Sequence, residues 1–499
     1  MAVSAPERER GSRDEDRDYR RLTTALKRQS GGLTVADAVA RSALPLETVR
    51  ELLPRAADEY SGRLQVTESG EILYSFPQGF TSRYRGFRAR LGRFFRELGR
   101  GARIVASFLF KAWIMLMLVG YFALFMLLAL AALLLSVAAS GSSSGRDRRR
   151  GDGGMFLVSG IFNTIIRIWF YSELLKPADR RYREEKPRGR PLHKAIFSFV
   201  FGDGDPNALW EEQERKAVIA YVQAHGGILS TPELAALTGL SLQEADRRIT
   251  GYCAEFNGSP EATEAGTVIY RFEELLRRAD TRNRSFPGLS GPFKGLRVFS
   301  SNKKKMNLWF SVINAVNLLF GGYFFFSALN TGHILSNTVI TNFNYFYALV
   351  YTILSRFLRD PLGAISLGLG LVPLAFSALF WLVPALRFFR LRKENEGIKL
   401  ENFRKENYSR IWQNPLEVKA GDLGGSVPES RPRDLEGARD RVIKEAGAYA
   451  QPEVSLDDAG NTVYAFTGLE REREALEQSR AGVDRGASEL GKTIFDSGA

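Results

Sequence analysis

Cysteine is nearly absent. Cys253 stands alone in 499 residues, which excludes an intramolecular disulfide and any thiol cluster for zinc or for iron and sulfur. Set in a helical pattern, it reads as a small buried apolar residue. Histidine is scarce too, and His193, His225 and His333 have no spacing suited to a metal site or a catalytic triad. Residues 1–18 mix Glu, Asp and Arg without an apolar stretch. They carry no signal-peptide pattern, their acidic residues argue against a transit peptide, and they read as a disordered tail. The long apolar stretches almost entirely lack ionisable side chains, which disfavours a proton-coupled transporter.

What the chain does have is a ten-residue pattern that occurs three times. One copy runs from Thr67 through Gly70 to Tyr74 and Phe76, the next from Thr263 through Gly266 to Tyr270 and Phe272, and the last from Asp457 through Gly460 to Tyr464 and Phe466. Each places Gly after a polar pair and a small residue, then a β-branched and aromatic run ending in Tyr, a spacer and Phe. Gly supplies the positive φ of a hairpin turn, and the two aromatics, two residues apart, share one face of the strand. Before the first copy, helical patterns cover 19–29, 35–42 and 46–53; before the second, 217–224, 232–238 and 242–249 repeat the order. The third copy is looser, with helices expected over 398–412 and 435–449 around a Gly/Pro-rich interruption at 421–432. Three helices followed by a two-stranded hairpin is the winged-helix arrangement.

The charge of +13 gathers beside the apolar segments. Arg83, Arg85, Arg88, Arg90, Arg93, Arg96, Arg100 and Arg103 precede the first, Lys303 to Lys305 precede another, and Arg387, Arg390, Arg392 and Lys393 follow the last. This placement points to anionic headgroups of a lipid bilayer and to cytoplasmic ends before it points to nucleic acid. Phe87, Leu91, Phe94, Phe95 and Leu98 fall on one helical face among the arginines, so 84–103 reads as a basic amphipathic helix on the membrane surface. Residues 112–139, 307–329 and 363–389 are apolar and long enough to span a bilayer, with Pro373 and Pro384 as expected kinks. Residues 155–171 are shorter and contain Asn163 and Arg167, fitting either a marginal fourth span or an interfacial helix. Residues 334–357 have an interfacial aromatic composition.

The fold class expected is therefore a mainly α membrane protein whose transmembrane helices carry three winged-helix-like α+β cytoplasmic modules. Its parts are a tail (1–18), module 1 (19–80), the amphipathic helix (84–103), a first membrane region (104–175), module 2 with the segment before it (193–275), a second membrane region (300–392), module 3 (398–469) and a polar tail (470–499). The run Phe197 to Asn207, the hairpin ending Val268 to Phe272, the following spans, and then Ile398, Asn402, Arg404 and Pro415 resemble a family of uncharacterised membrane proteins. The family is found in cyanobacteria, other bacteria and the chloroplast envelope, and some of its members are labelled iron-sulfur cluster biosynthesis proteins. The resemblance runs from about Arg83 onward, departs at Met155, and implies architecture more than activity. A single cysteine gives the iron-sulfur label no support.

Three motifs carry chemistry on paper. Gly486 to Thr493 fits the phosphate-loop formula, but that loop needs a helix after it, and only six residues remain. Asp203, Asp205, Asn207 and Glu214 suggest a calcium loop, but Ala208 stands where Gly is needed, and Asp205 before Pro206 reads better as a helix N-cap. For DNA reading, the third helices offer Arg50 against Glu47 and Glu51, and Arg247 and Arg248 against Glu244 and Asp246, beneath hairpin tips bearing Glu68, Glu71, Glu264, Asp457 and Asp458. Acidic tips repel phosphate. The expectation is a multi-pass protein of the inner cell membrane with no catalytic, cofactor-binding or metal site, no enzymatic role, and a protein partner or a second copy in preference to nucleic acid. It acts as a membrane-anchored interaction scaffold; the alternatives are a membrane-tethered DNA-binding regulator and a transporter or enzyme component.

Overall fold

The computed structural model describes residues 5–27, 31–77, 79–80, 87–140, 190–279, 289, 291–336, 342–483 and 490–497. These divide into two compact units: residues 1–93, 205–297 and 392–499 form one, and 94–204 and 298–391 the other.

In the first unit, helix α1 (Ala5–Leu26) takes in most of the stretch expected to be a tail. Helix α2 (Val35–Ser42) opens with a capping box, Thr34 accepting from the Asp37 N–H and Asp37 returning a bond to the Thr34 N–H. Helix α3 (Leu46–Glu59) continues past Pro54, where the sequence pattern suggested a stop. The hairpin of β1 (Arg63–Thr67) and β2 (Ile72–Ser75) completes the module.

The second helical unit begins with α4 (Phe87–Met115), which runs through a π-helical turn at Leu116–Gly120 into α5 (Tyr121–Ser140). The arginine-rich segment is thus one helix with the apolar stretch after it; residues 84–86 and the side chains of 87–98 lie outside the described residues. So does 155–171. Helix α6 (Leu192–Phe201) buries Ala195, Ile196, Phe199 and Val200 against Phe310 and Phe380.

The chain then returns to the first unit. Helix α7 (Trp210–Ala224), the two-residue strand β3 (Ile228–Leu229), α8 (Thr231–Thr238), α9 (Leu242–Phe256) and the hairpin β4 (Ser259–Ala262) and β5 (Val268–Arg271) follow in order. Asp205 does not cap this helix. Its carboxylate accepts from the Asn207 N–H in a turn and pairs with Arg297, and the helix opens only at Trp210.

Back in the apolar unit, α10 (Lys304–Leu329), α11 (Thr331–Ser336) and α12 (Asn342–Ser355) precede a π-helical stretch, Ala364–Leu371. That stretch ends just before Pro373, whose missing N–H and bulky ring disfavour a regular helical register there. From Val372 a single helix, α13, runs to Gln413, fusing the expected span and the expected first helix of module 3, since no strong breaker separates them. Among the described residues three stretches, Gly101–Ala132, Lys304–Leu329 and Pro361–Gln413, are long and apolar enough to cross a membrane. Gly321 and Gly370 bring two of them together: a Cβ on Gly321 would lie 2.9 Å from the Leu374 nitrogen, and one on Gly370 2.9 Å from the Phe325 Cα. Asn314 donates to the Ser377 carbonyl at 2.9 Å and Asn317 to that of Leu118 at 2.8 Å. The aromatic stretch is divided, with Tyr345 exposed and Phe346 and Tyr347 buried. Tyr347 is fully buried with its hydroxyl 2.6 Å from Thr331 Oγ1, and Phe346 lies against Phe320 and Phe324.

Module 3 continues with β6 (Val418–Lys419), α14 (Leu435–Tyr449), and the hairpin β7 (Glu453–Leu456) and β8 (Thr462–Ala465). Two short 3-10 turns, Ala420–Asp422 and Pro428–Ser430, stand where the other modules have a second helix. Glu406 holds them, accepting from the Ser426 N–H at 2.9 Å and from Ser430 Oγ at 2.8 Å. The expected polar tail is folded: α15 (Thr467–Ala481) buries Leu469, Glu472, Ala475 and Leu476, and β9 (Thr493–Asp496) joins the sheet of module 1.

The three hairpins share one register, pairing Arg63 with Ser75, Ser259 with Arg271 and Glu453 with Ala465. Gly70, Gly266 and Gly460 have φ of 79°, 75° and 80°, and each donates a 2.9 Å bond to the residue three before it. A short extended segment pairs with the tyrosine of each second strand: Leu33 with Tyr74, Leu229 with Tyr270, Val418 with Tyr464. One apolar cluster runs through all three modules, including Leu22, Val49, Ile219, Phe272, Phe403 and Phe466.

Candidate interaction surfaces

Several of the residues singled out for chemistry are engaged in structural roles. Thr493 opens strand β9, not a helix, and the Lys492 N–H donates to Glu68 Oε2 at 3.1 Å, so the described part of the phosphate-loop match lacks the helix N-terminus that a phosphate needs. Residues 486–489 lie outside the described residues. Of the calcium-loop candidates, Asp203 pairs with Arg190 and accepts from Ser198 Oγ and the Ser301 N–H, both at 2.7 Å. The Arg190 guanidinium holds its carboxyl well below the usual range. Asn207 exchanges two bonds with the Gly295 backbone, and Glu214 accepts from Trp210 Nε1 at 3.1 Å. Among the described residues no group of three or more His, Cys, Asp or Glu side chains is placed to hold a metal ion.

His225 stacks on Tyr221 with ring centroids 3.9 Å apart and sets Nδ1 2.8 Å from the Tyr221 carbonyl; burial pushes its pKa down. His193 meets Phe108 edge-on, and His333 is exposed. Cys253 is half-buried, and burial pushes its thiol up.

The third helices are where a DNA-reading module would present basic side chains. Here α9 packs against both α3 and α14. Arg50 is tied to Glu47 at 2.7 Å and to Glu274. Arg248 lies over the Tyr252 ring at 4.7 Å and 3.8 Å from Glu255, while Arg247 is exposed. The acidic tips are partly committed as well. Glu71 pairs with Arg277 at 2.8 Å, and Asp457 accepts from the N–H groups of Ala459 and Asn461 and pairs with Lys419 at 3.1 Å. The Asn461 hydrogen bonds, with Lys419, lower the Asp457 carboxyl to about 2. Asp457 therefore builds its turn, while Glu264 and Asp458 remain exposed at theirs.

Two buried features escaped the sequence reading because they join residues hundreds of positions apart or residues of the supposed tail. Arg480 of α15 clasps Glu233 of α8 with two bonds of 2.9 and 2.8 Å, and donates a third, of 2.9 Å, to the Ile228 carbonyl. Tyr221 adds a 2.6 Å hydroxyl bond to the same carboxylate, which is 1% exposed. Nearby, Glu472 is buried with the Tyr449 hydroxyl 3.2 Å away, and burial pushes its carboxyl up to about 7. Only the i, i+3 capping box of Ser230 and Glu233 was signalled locally.

The chain is similar to an uncharacterised chloroplastic protein of Arabidopsis thaliana, 24% identical over 394 residues that cover 77% of this chain and 70% of that protein. No family model matches the chain. No solved structure matches it.

Proposed function

We propose that the chain is an integral membrane protein whose three winged-helix-like modules serve as an anchored protein-interaction scaffold. Its apolar helices span the bilayer, its basic flanks contact anionic headgroups, and the modules face the cytoplasm or the equivalent compartment of an organelle. The observation that carries this reading is the packing of α9, the helix that a nucleic-acid reader would present, against α3 and α14. The engagement of Arg50 and Arg248 with acidic side chains points the same way. The exposed surface of the modules includes the outer edge of β7 and the tips at Glu264 and Asp458, which are suited to protein contact.

Affinity purification of the full chain from detergent, with protein and nucleic acid both quantified, tests the proposal. A protein partner recovered at fixed stoichiometry, with no nucleic acid above background, is the expected result. Specific DNA that is recovered with the chain and lost in Arg247→Glu overturns it.

A further inference from the structure

The hairpin edges of the three modules are equivalent in register yet differ in what covers them. In each hairpin the N–H of the last residue before the tip bonds back across the turn: Thr67 to Glu71 at 3.0 Å, Thr263 to Thr267 at 2.8 Å, Asp457 to Asn461 at 2.9 Å. The residues one and three positions earlier must then direct their N–H and C=O groups away from the hairpin. These are Val66 and Leu64 in β1, Ala262 and Pro260 in β4, and Leu456 and Val454 in β7.

Along β1 this outward edge is filled. Strand β9 pairs antiparallel with it, Phe495 opposite Val66 and Asp496 opposite Gln65, and the Ser497 N–H donates to the Leu64 carbonyl at 2.9 Å. The β4 edge is blunted, because Pro260 occupies an outward position and has no N–H to offer. The β7 edge has neither device. Among the described residues nothing pairs with its outer side, and Val454 and Leu456 are 62% and 71% exposed, against 36% for Leu64 beneath β9. Native proteins commonly cover or blunt exposed apolar edges, because an open edge is a template for pairing with another chain.

We infer that β7 is a strand-addition site for an extended segment of a partner protein, and that this segment has the chemistry of β9. The inference rests on the scaffold reading and gives it a place. Transferring the β9 register to β7 sets an aromatic or β-branched residue opposite Leu456 and a polar or acidic one opposite Ser455. A backbone N–H of the segment then falls beside the exposed Asp458, which stands where Glu68 accepts from the Lys492 N–H in module 1. Main-chain bonds to Val454 and Leu456 supply affinity, and the alternating side chains supply selectivity.

The probe is a labelled peptide with the sequence of residues 490–497, titrated onto the detergent-purified full chain; the β1 edge is occupied in cis, so the free edge is the one reported. Saturable binding is expected, weakened at least tenfold in Val454→Pro with no change in thermal unfolding, since Pro260 shows that proline fits the equivalent position. Should that variant unfold early, Val454→Lys with Leu456→Lys, both on exposed positions, is expected to give the same loss. No saturable binding, or binding that persists in these variants and is lost in Leu64→Pro, overturns the inference, the latter because the peptide has then exchanged into module 1. The two readings fail separately. A partner that still copurifies with Val454→Pro at undiminished yield contradicts the β7 site and leaves the scaffold standing. Peptide binding without any copurifying protein supports the site and counts against the scaffold.

Discussion

Replacing Arg480 by Met isolates the buried ion pair that ties α15 to α8. The substitution keeps the length and apolar stem of the side chain and removes three charge-assisted bonds, two to Glu233 and one to the Ile228 carbonyl. Glu233 is then left as a buried carboxylate with the Tyr221 hydroxyl and the Ser230 N–H as its remaining donors. Breaking a buried pair from one side costs about 3–5 kcal/mol, because the surviving charge is uncompensated. Charge reversal is not needed to see the effect; Glu233→Gln in the same chain relieves the stranded charge and is expected to return much of the loss. Hydrogen exchange in α15 and α8, read beside thermal unfolding in detergent, is the assay. The single variant should unfold roughly 10 °C earlier, taking about 2–4 °C per kcal/mol for a unit of this size, with exchange rising first in α15. A shift under about 2 °C, or a double variant no more stable than the single one, would show that the pair does not hold α15 in place.

Two other perturbations follow from the same packing. Glu472 has its carboxyl raised from 4.5 to about 7 by burial, so the folded state binds that proton more tightly than the unfolded chain, and its contribution to stability is lost as pH rises from about 4.5 to 7. Glu472→Gln should flatten that pH slope and stabilise the unit at pH 8 by up to about 3 kcal/mol; an unchanged slope in pH-dependent denaturation would refute it. In the apolar unit, Gly321→Val places a Cβ 2.9 Å from the Leu374 nitrogen, and overpacking of this kind costs about 1–3 kcal/mol. Gly322→Ala, whose nearest neighbour is a side-chain methyl at 3.9 Å, is the control expected to unfold at the wild-type temperature.

The hairpin turns were legible because a positive φ demands glycine, and Gly70, Gly266 and Gly460 stand at matching places before the aromatic strands. Helices α2, α8 and α14 were legible to within a residue of their ends from their apolar pattern, and two of them open on capping boxes. Strands β3 and β6 were not, since two residues carry no alternation to read. Strand β9 was hidden because its partner β1 lies more than four hundred residues away and its surroundings are polar. The cap expected at Asp205 failed because an Asx turn and a capped helix begin alike, and here the Arg297 pairing accompanies the turn. Of the interaction surface, the acidic tips could be read, but not that Glu71 and Asp457 are already spent on Arg277 and Lys419.

Anchoring with the modules on one side is the premise on which the scaffold depends, and cysteine accessibility tests it most directly. With Cys253 changed to Ala, single cysteines at the exposed positions Glu51, Glu264 and Asp458, one per module, are treated with a membrane-impermeant maleimide in sealed vesicles of each orientation. The chain should resist carbonate extraction, and all three sites should label only from the cytoplasmic face. Release of the chain by carbonate, or labelling of any of the three from the opposite face, would contradict the account.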